Sequence, residues 1–180
     1  FMNQEKLDQL QYPIGKFDWD AERSTEVLEA AIVKINNFPS TLNDTVALLP
    51  KTVLLHRYRP EGWTIAQVIH HVADSHMHSY LRFKHALLED SPSIKDYEEA
   101  KWANLIDASD TEIEYSLKLI EALHYRWVLF LKNLTQADFK RSYYHPERNK
   151  HYPLDVTLLI YAWHGEHHLA QIKNAIKKSY

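Results

Sequence analysis

His164 and His168 stand i, i+4 near the C-terminal end of the chain. On a helix that spacing puts two imidazoles on one face, one turn and about 40° apart. A third imidazole from a facing helix would complete a three-nitrogen socket for a divalent ion. His71, in an earlier helical stretch, is the candidate. Three protein ligands leave a fourth position for water, the arrangement of a catalytic rather than a structural zinc. The bland alternative is a pair of half-buried imidazoles bonded to backbone or to Tyr and Glu side chains.

The chain has 12 histidines, so most must do something ordinary. His167 is about 100° from His168 and reads as pointing outward. Glu166 invites comparison with the HExxH zinc-protease motif, but His164-Gly165-Glu166-His167-His168 does not match it. Two residues from His164, Glu166 points to nearly the opposite side and is a poor general base. His71 shares a helix face with Asp74, Ser75 and His78. Such a face is expensive inside an apolar bundle unless its groups find partners or a metal; otherwise it is the solvated side. His124, one turn before Trp127 and close to Arg126, reads as a core histidine, a proton carrier or a surface group. His145, before Pro146, belongs to a loop. His56, His76, His85 and His151 have no spacing that singles them out.

Helices must position these groups, and the apolar spacing supplies them. Residues 1–19 read as an irregular arm, with Phe17 and Trp19 as aromatic pins. A helix is predicted from about Ala21 to Asn36 on Val27, Leu28, Ala31 and Ile35. Pro39 either ends it before a second segment carrying Leu42, Val46 and Leu49, or bends one continuous helix. Thr64 and Gln67 form a capping-box pair that opens a long helix to about Glu89. A short helix is expected near 98–105. A longer one runs from Ser109 or Asp110 to Asn133 on Ile113, Leu117, Ile120, Trp127 and Leu131. A turn near Asn149 suggests a small hairpin in the loop 134–153. The last helix spans Leu154 to Lys177, with Gly165 small enough to admit a neighbouring helix. Four substantial helices with almost no strand pattern predict an all-α antiparallel four-helix bundle with short extra helices.

Composition narrows the functions. At 180 residues the chain suits one domain with a real core. Hydrophobic residues make up 45% and charged residues 25%, an ordinary balance for a soluble protein. A net charge of −3 without a basic stripe disfavours nucleic acid. No apolar run approaches the roughly 18 residues of a membrane span, and the first residues are too polar for a signal peptide. The absence of cysteine excludes disulfides and thiolate nucleophiles and agrees with a cytoplasmic address. Three glycines and no phosphate-loop or nucleophile-elbow motif remove the commoner nucleotide and serine chemistries.

The segment Gly62-Trp63-Thr64-Ile65-Ala66-Gln67-Val68-Ile69-His70-His71-Val72-Ala73-Asp74-Ser75-His76-Met77 strongly resembles the DinB-like superfamily. Within it the chain is most similar to the YfiT-type proteins, designated metal-dependent hydrolases, and to the related bacillithiol S-transferases. Tyr12-Pro13-Ile14-Gly15, Ser79-Tyr80-Leu81-Arg82-Phe83-Lys84, Leu123-His124-Tyr125-Arg126-Trp127, Tyr144-His145-Pro146, Tyr161-Ala162-Trp163-His164 and His167-His168 extend the match over nearly the whole chain. Glu166 departs from it, standing where the YfiT-type pattern has histidine. The resemblance implies a four-helix bundle, often a homodimer, that binds one zinc or nickel ion through His71, His164 and His168. These are the three histidines that spacing also favours.

Zinc, with nickel as the alternative, would activate a bound water or a small thiol. The expected enzyme is therefore a hydrolase or a thiol S-transferase using a low-molecular-weight thiol on a small-molecule substrate. A non-catalytic metal-binding stress-response bundle is the reading from another class. Asp74 is a candidate base or orienter of a ligand imidazole. His78, Arg82, His124, Arg126 and His145 are candidates to line the pocket.

Overall fold

A computed structural model describes residues 3–180. The arm is more ordered than its sequence suggests. Helix α1 (Gln4–Gln11) opens it, because Asn3 Oδ1 accepts the Lys6 amide at 3.0 Å and caps the first turn. Residues 1–2, the start of the expected arm, lie outside the described part.

Helix α2 (Thr25–Val46) is one continuous helix. It starts at Thr25 rather than near Ala21, because Ser24 Oγ accepts the Val27 amide as an N-cap. Its buried stripe is Leu28, Ala31, Ile32, Ile35, Phe38, Leu42 and Val46, and Pro39 sits inside it. Proline has no N–H, so the Ile35 carbonyl four residues back loses its helical donor. One-turn α3 (Lys51–Leu54) interrupts the connector that follows.

Helix α4 (Ile65–Leu88) opens with the capping box: Gln67 N donates to Thr64 Oγ1, and Gln67 Oε1 accepts the Thr64 amide. It is buried on nearly all sides. Short α5 (Glu99–Trp102) and α6 (Ile106–Ser109) follow, with α6 packed on α4. Extended backbone at Asp110 delays α7 (Glu114–Leu131) past its expected start. Helix α8 (Gln136–Lys140) lies where a loop was expected. The hairpin is present as β1 (Ser142–His145) and β2 (Lys150–Pro153), antiparallel, with left-handed Asn149 at its turn. Helix α9 (Leu154–Lys177) completes the described chain.

The four long helices form the bundle. Helix α2 packs on α7 and α9, and α4 packs on the same two, so the ring order is α2, α9, α4, α7. Chain neighbours α2 and α4 are therefore diagonal, as are α7 and α9. One core cluster joins the N-terminal halves of α2 and α9 to the C-terminal halves of α4 and α7. The α2/α9 pair thus runs antiparallel to the α4/α7 pair. No helix among the described residues is long and apolar enough to cross a membrane.

Gly165 sets the α2–α9 approach. A Cβ there would lie 2.9 Å from Phe38 Cδ2, too close to be tolerated without movement. We predict that Gly165→Val costs about 2 kcal/mol by overpacking, read as a lower denaturant midpoint at unchanged slope. An unaltered midpoint would mean that Phe38 moves freely.

Candidate metal centre

His71 from α4 meets His164 and His168 from α9. The three ligand atoms lie within 4.8 Å of one another. His164 Nε2 is 3.3 Å from His71 Nε2 and 3.1 Å from His168 Nε2. Nitrogens bound at 2.0–2.1 Å around a tetrahedral zinc stand about 3.3 Å apart. These two separations fit ligands of one ion, and a set of three imidazoles suits zinc, nickel or copper. Trp63 lies over His71, with ring centroids 4.7 Å apart.

Protonation matches that role. Burial, with a smaller push from His167, lowers the His71 pKa to about 4. Burial also holds His164 and His168 well below the ordinary imidazole range. All three are neutral at pH 7, as metal ligands must be.

The neighbours aim the rings. Gln171 Nε2 donates to the Gln11 carbonyl at 2.8 Å, and a carbonyl can only accept. The Gln171 oxygen therefore faces His168 Nδ1, 2.8 Å away, and takes its proton. His168 Nε2 is left with a bare lone pair facing His164 Nε2. The end of α1 thus helps to orient a ligand, a role invisible while residues 1–19 read as irregular. The same arm corrects the reading of His167. That ring is buried, not outward: it stacks on Trp163 at 4.6 Å, contacts Tyr12 and bonds Gln171. Glu166 does point away, to an exposed ion pair with Lys34.

The three histidines sit at an open cavity of about 650 Å³. Arg82 and His145, both sequence candidates, are on its wall, joined through Asp96. Arg82 reaches Asp96 Oδ1 at 3.3 Å and His145 Nε2 reaches it at 3.5 Å. The other candidates lie elsewhere. His78 stacks on Tyr97 at 4.1 Å and faces a neighbouring cavity. Arg126 is exposed, 5.7 Å from the Tyr80 ring. Half-buried Asp74 is not part of the cavity wall, and among the described residues no hydrogen bond links its carboxylate to a ligand imidazole. Burial and nearby Asp107 raise its pKa. His124 does not reach this cavity: it is buried behind the site, bonded to His76 and to the Ile35 carbonyl. His76, which spacing passed over, is fully buried and bonds His164 directly. One sequence signal could have found it. From Ile65 to Tyr80 only Asp74 is charged, so α4 has no solvated face and its histidines must point into protein.

Comparison with known proteins agrees with the geometry. Residues 36–172 match the family model described as the DinB superfamily. A protein of Oceanobacillus iheyensis named "putative metal-dependent hydrolase" is 45% identical over 167 residues, covering 93% of this chain and 96% of that protein. The solved structure of YfiT from Bacillus subtilis, described as "a probable metal-dependent hydrolase with an unusual four-helix bundle topology", superposes with a TM-score of 0.91. It is 38% identical, over 94% of this chain and 97% of that one. The mycothiol-dependent maleylpyruvate isomerase shares the fold alone, at a TM-score of 0.63 and 15% identity over 81% of this chain and 60% of that one.

Two outcomes follow from the cluster. His168→Ala should lose most of the bound metal, measured by elemental analysis of the purified protein; equal content in variant and parent would dissolve the assignment. Acid should also destabilise the metal-free protein. His71, His124 and His167 have folded pKa values near 4, below the unfolded value of about 6.5. Between those limits the unfolded chain binds more protons. Stability is therefore complete above about pH 6.5 and lost as pH falls toward 4. Lowering pH from 7 to 5 should drop the thermal midpoint by on the order of 5–10 °C, followed by calorimetry. A flat profile would show that these rings are not buried neutral.

Proposed function

This chain belongs to the DinB superfamily, and from that membership we propose that it is a zinc-dependent hydrolase of small molecules, with His71, His164 and His168 as ligands. The observation that carries this reading is the convergence of three neutral imidazole nitrogens within 4.8 Å of one another at an open cavity, two of the separations being those of ligands on one tetrahedral ion. A zinc held by three protein ligands keeps one open position and brings the pKa of water there to about 7. The chain's own groups do the rest. Trp63 and Tyr161, with Tyr12 and Phe17 from the arm, give the cavity aromatic walls. Arg82, held by Asp96, presents a guanidinium suited to a carboxylate on the substrate. His145, neutral because burial lowers its pKa, stands on the same wall and turns Nε2 to Asp96, which helps to hold the carboxylate that Arg82 also contacts.

A second reading is supported by the same wall. Lys16, Arg59, Arg82 and Arg148 all line the cavity and would suit the carboxylates of a low-molecular-weight thiol. With no cysteine of its own, the protein would take its sulfur nucleophile from such a cosubstrate.

Turnover of small esters and amides by the zinc-loaded protein, with and without added thiol, separates the readings. The hydrolase reading expects turnover without thiol, abolished by His164→Ala. Arg82→Lys should raise KM about tenfold for carboxylate-bearing substrates while leaving kcat nearly unchanged. Turnover that requires thiol would establish the transferase instead. No turnover in either condition, with metal retained, would leave a binding module.

A further inference from the structure

We infer that His76 and His124, which hold no metal themselves, fix the tautomer in which His164 meets the ion, and that the carbonyl freed by Pro39 sets the direction. The inference rests on His164 being a ligand.

The argument begins at the backbone. Pro39 cannot donate to the Ile35 carbonyl, so that oxygen, buried in the bundle, needs another donor. His124 Nδ1 supplies it at 2.7 Å. A carbonyl only accepts, so Nδ1 carries the His124 proton. A neutral imidazole has one N–H, so His124 Nε2 is a bare acceptor. Facing it at 2.8 Å is His76 Nδ1, which must therefore donate. His76 Nε2 is then the acceptor, 3.0 Å from His164 Nδ1, which must donate in turn. The last consequence is a bare lone pair on His164 Nε2, the atom that lies 3.3 Å from His71 Nε2 and 3.1 Å from His168 Nε2.

The reverse order fails at one place. A proton on His164 Nε2 would shift each link by one nitrogen and leave His124 Nδ1 unprotonated, 2.7 Å from a carbonyl lone pair. It would also put a hydrogen inside the ligand cluster. Protonating a ring twice would remove the conflict only by burying a charge: His76 is 0% and His124 1% exposed, and no carboxylate bonds either ring among the described residues. Packing holds the planes. The two imidazoles are nearly coplanar, 13° apart with centroids at 5.0 Å, as an in-plane N–H···N bond requires; Phe38 lies against both at 5.6 and 5.5 Å, and Trp127 meets both edge-on. Ligand histidines ordinarily donate their outer N–H straight to a carboxylate, a carbonyl or water. Here two further imidazoles stand between ligand and carbonyl.

Two measurements test this on the full chain. In histidine-labelled protein, long-range 1H–15N correlation spectra report which nitrogen of each ring carries the proton. Expected is the Nδ1–H form for His124, His76 and His164, both metal-free and zinc-loaded; an Nε2–H form at any of them overturns the inference. The second measurement is zinc affinity by competition with a chelator. His124→Leu should weaken binding about 10- to 100-fold. His124→Gln, whose amide can donate to Ile35 and accept from His76, should recover most of it. Parent-like affinity in the Leu variant, or no recovery in the Gln variant, counts against the role. Should the Leu variant not fold, the spectra of the unaltered protein still decide. Failure of the unaltered protein to take up zinc would sink the metal reading itself, and the assigned role with it.

Discussion

Three uncharged nitrogen lone pairs pointing at one spot repel, and the protein has to hold them there. Everything else in the structure answers to that demand. The rings come from helices far apart in the chain, so the bundle must bring them together. Each ring must also be turned so that a lone pair, not a hydrogen, faces its fellows. Burial supplies neutrality by penalising the imidazolium. Fixed acceptors behind the rings supply direction. A divalent ion at the centre turns the repulsion into coordination.

The bundle's connectivity serves this. Because α2 and α4 are diagonal, α4 lies between α7 and α9, and α3, α6 and β1 cover most of its remaining surface. His71 then reaches α9 on one face, His76 reaches α7 through His124, and His70 bonds Ser116 and the Asp110 carbonyl beyond it. Gly165 lets Phe38 enter beside the bonded His76–His124 pair, so one missing side chain both closes the α2–α9 contact and braces the rings behind the three-histidine cluster.

Much of this was legible in the sequence, for definable reasons. The α4 start rests on a local capping box, and α9 on a long apolar period that ends in lysines. The ligand pair is itself local, one helical turn. The facing ligand, His71, could be chosen only among neighbours, and its face could equally have been solvated. What escaped was nonlocal. His76 gains its role from His124 and from an orphan carbonyl beside a proline, three points on three helices. His167 is buried because the arm folds over it, and α1 shows no apolar stripe to announce itself. Arg126 and His78 carry the right chemistry on the wrong face, which composition near a motif cannot reveal.

The neutrality of the ligands has one further consequence. Three imidazoles contribute no negative charge, so a bound divalent ion would keep its full double charge at the end of the cavity. Carboxylate ligands would have reduced it. The strongest polarising power is thereby retained for whatever occupies the open position, at the cost of a positive field inside the protein. Asp96 and Glu99 on the cavity wall oppose that field. Asp96 is already engaged by Arg82 and His145, while burial raises the pKa of Glu99. The balance left over favours an anionic or strongly dipolar guest. A cation held by the three histidines would therefore make the cavity select by charge as well as by shape, and that selection would originate in the choice of histidine at all three corners of the cluster.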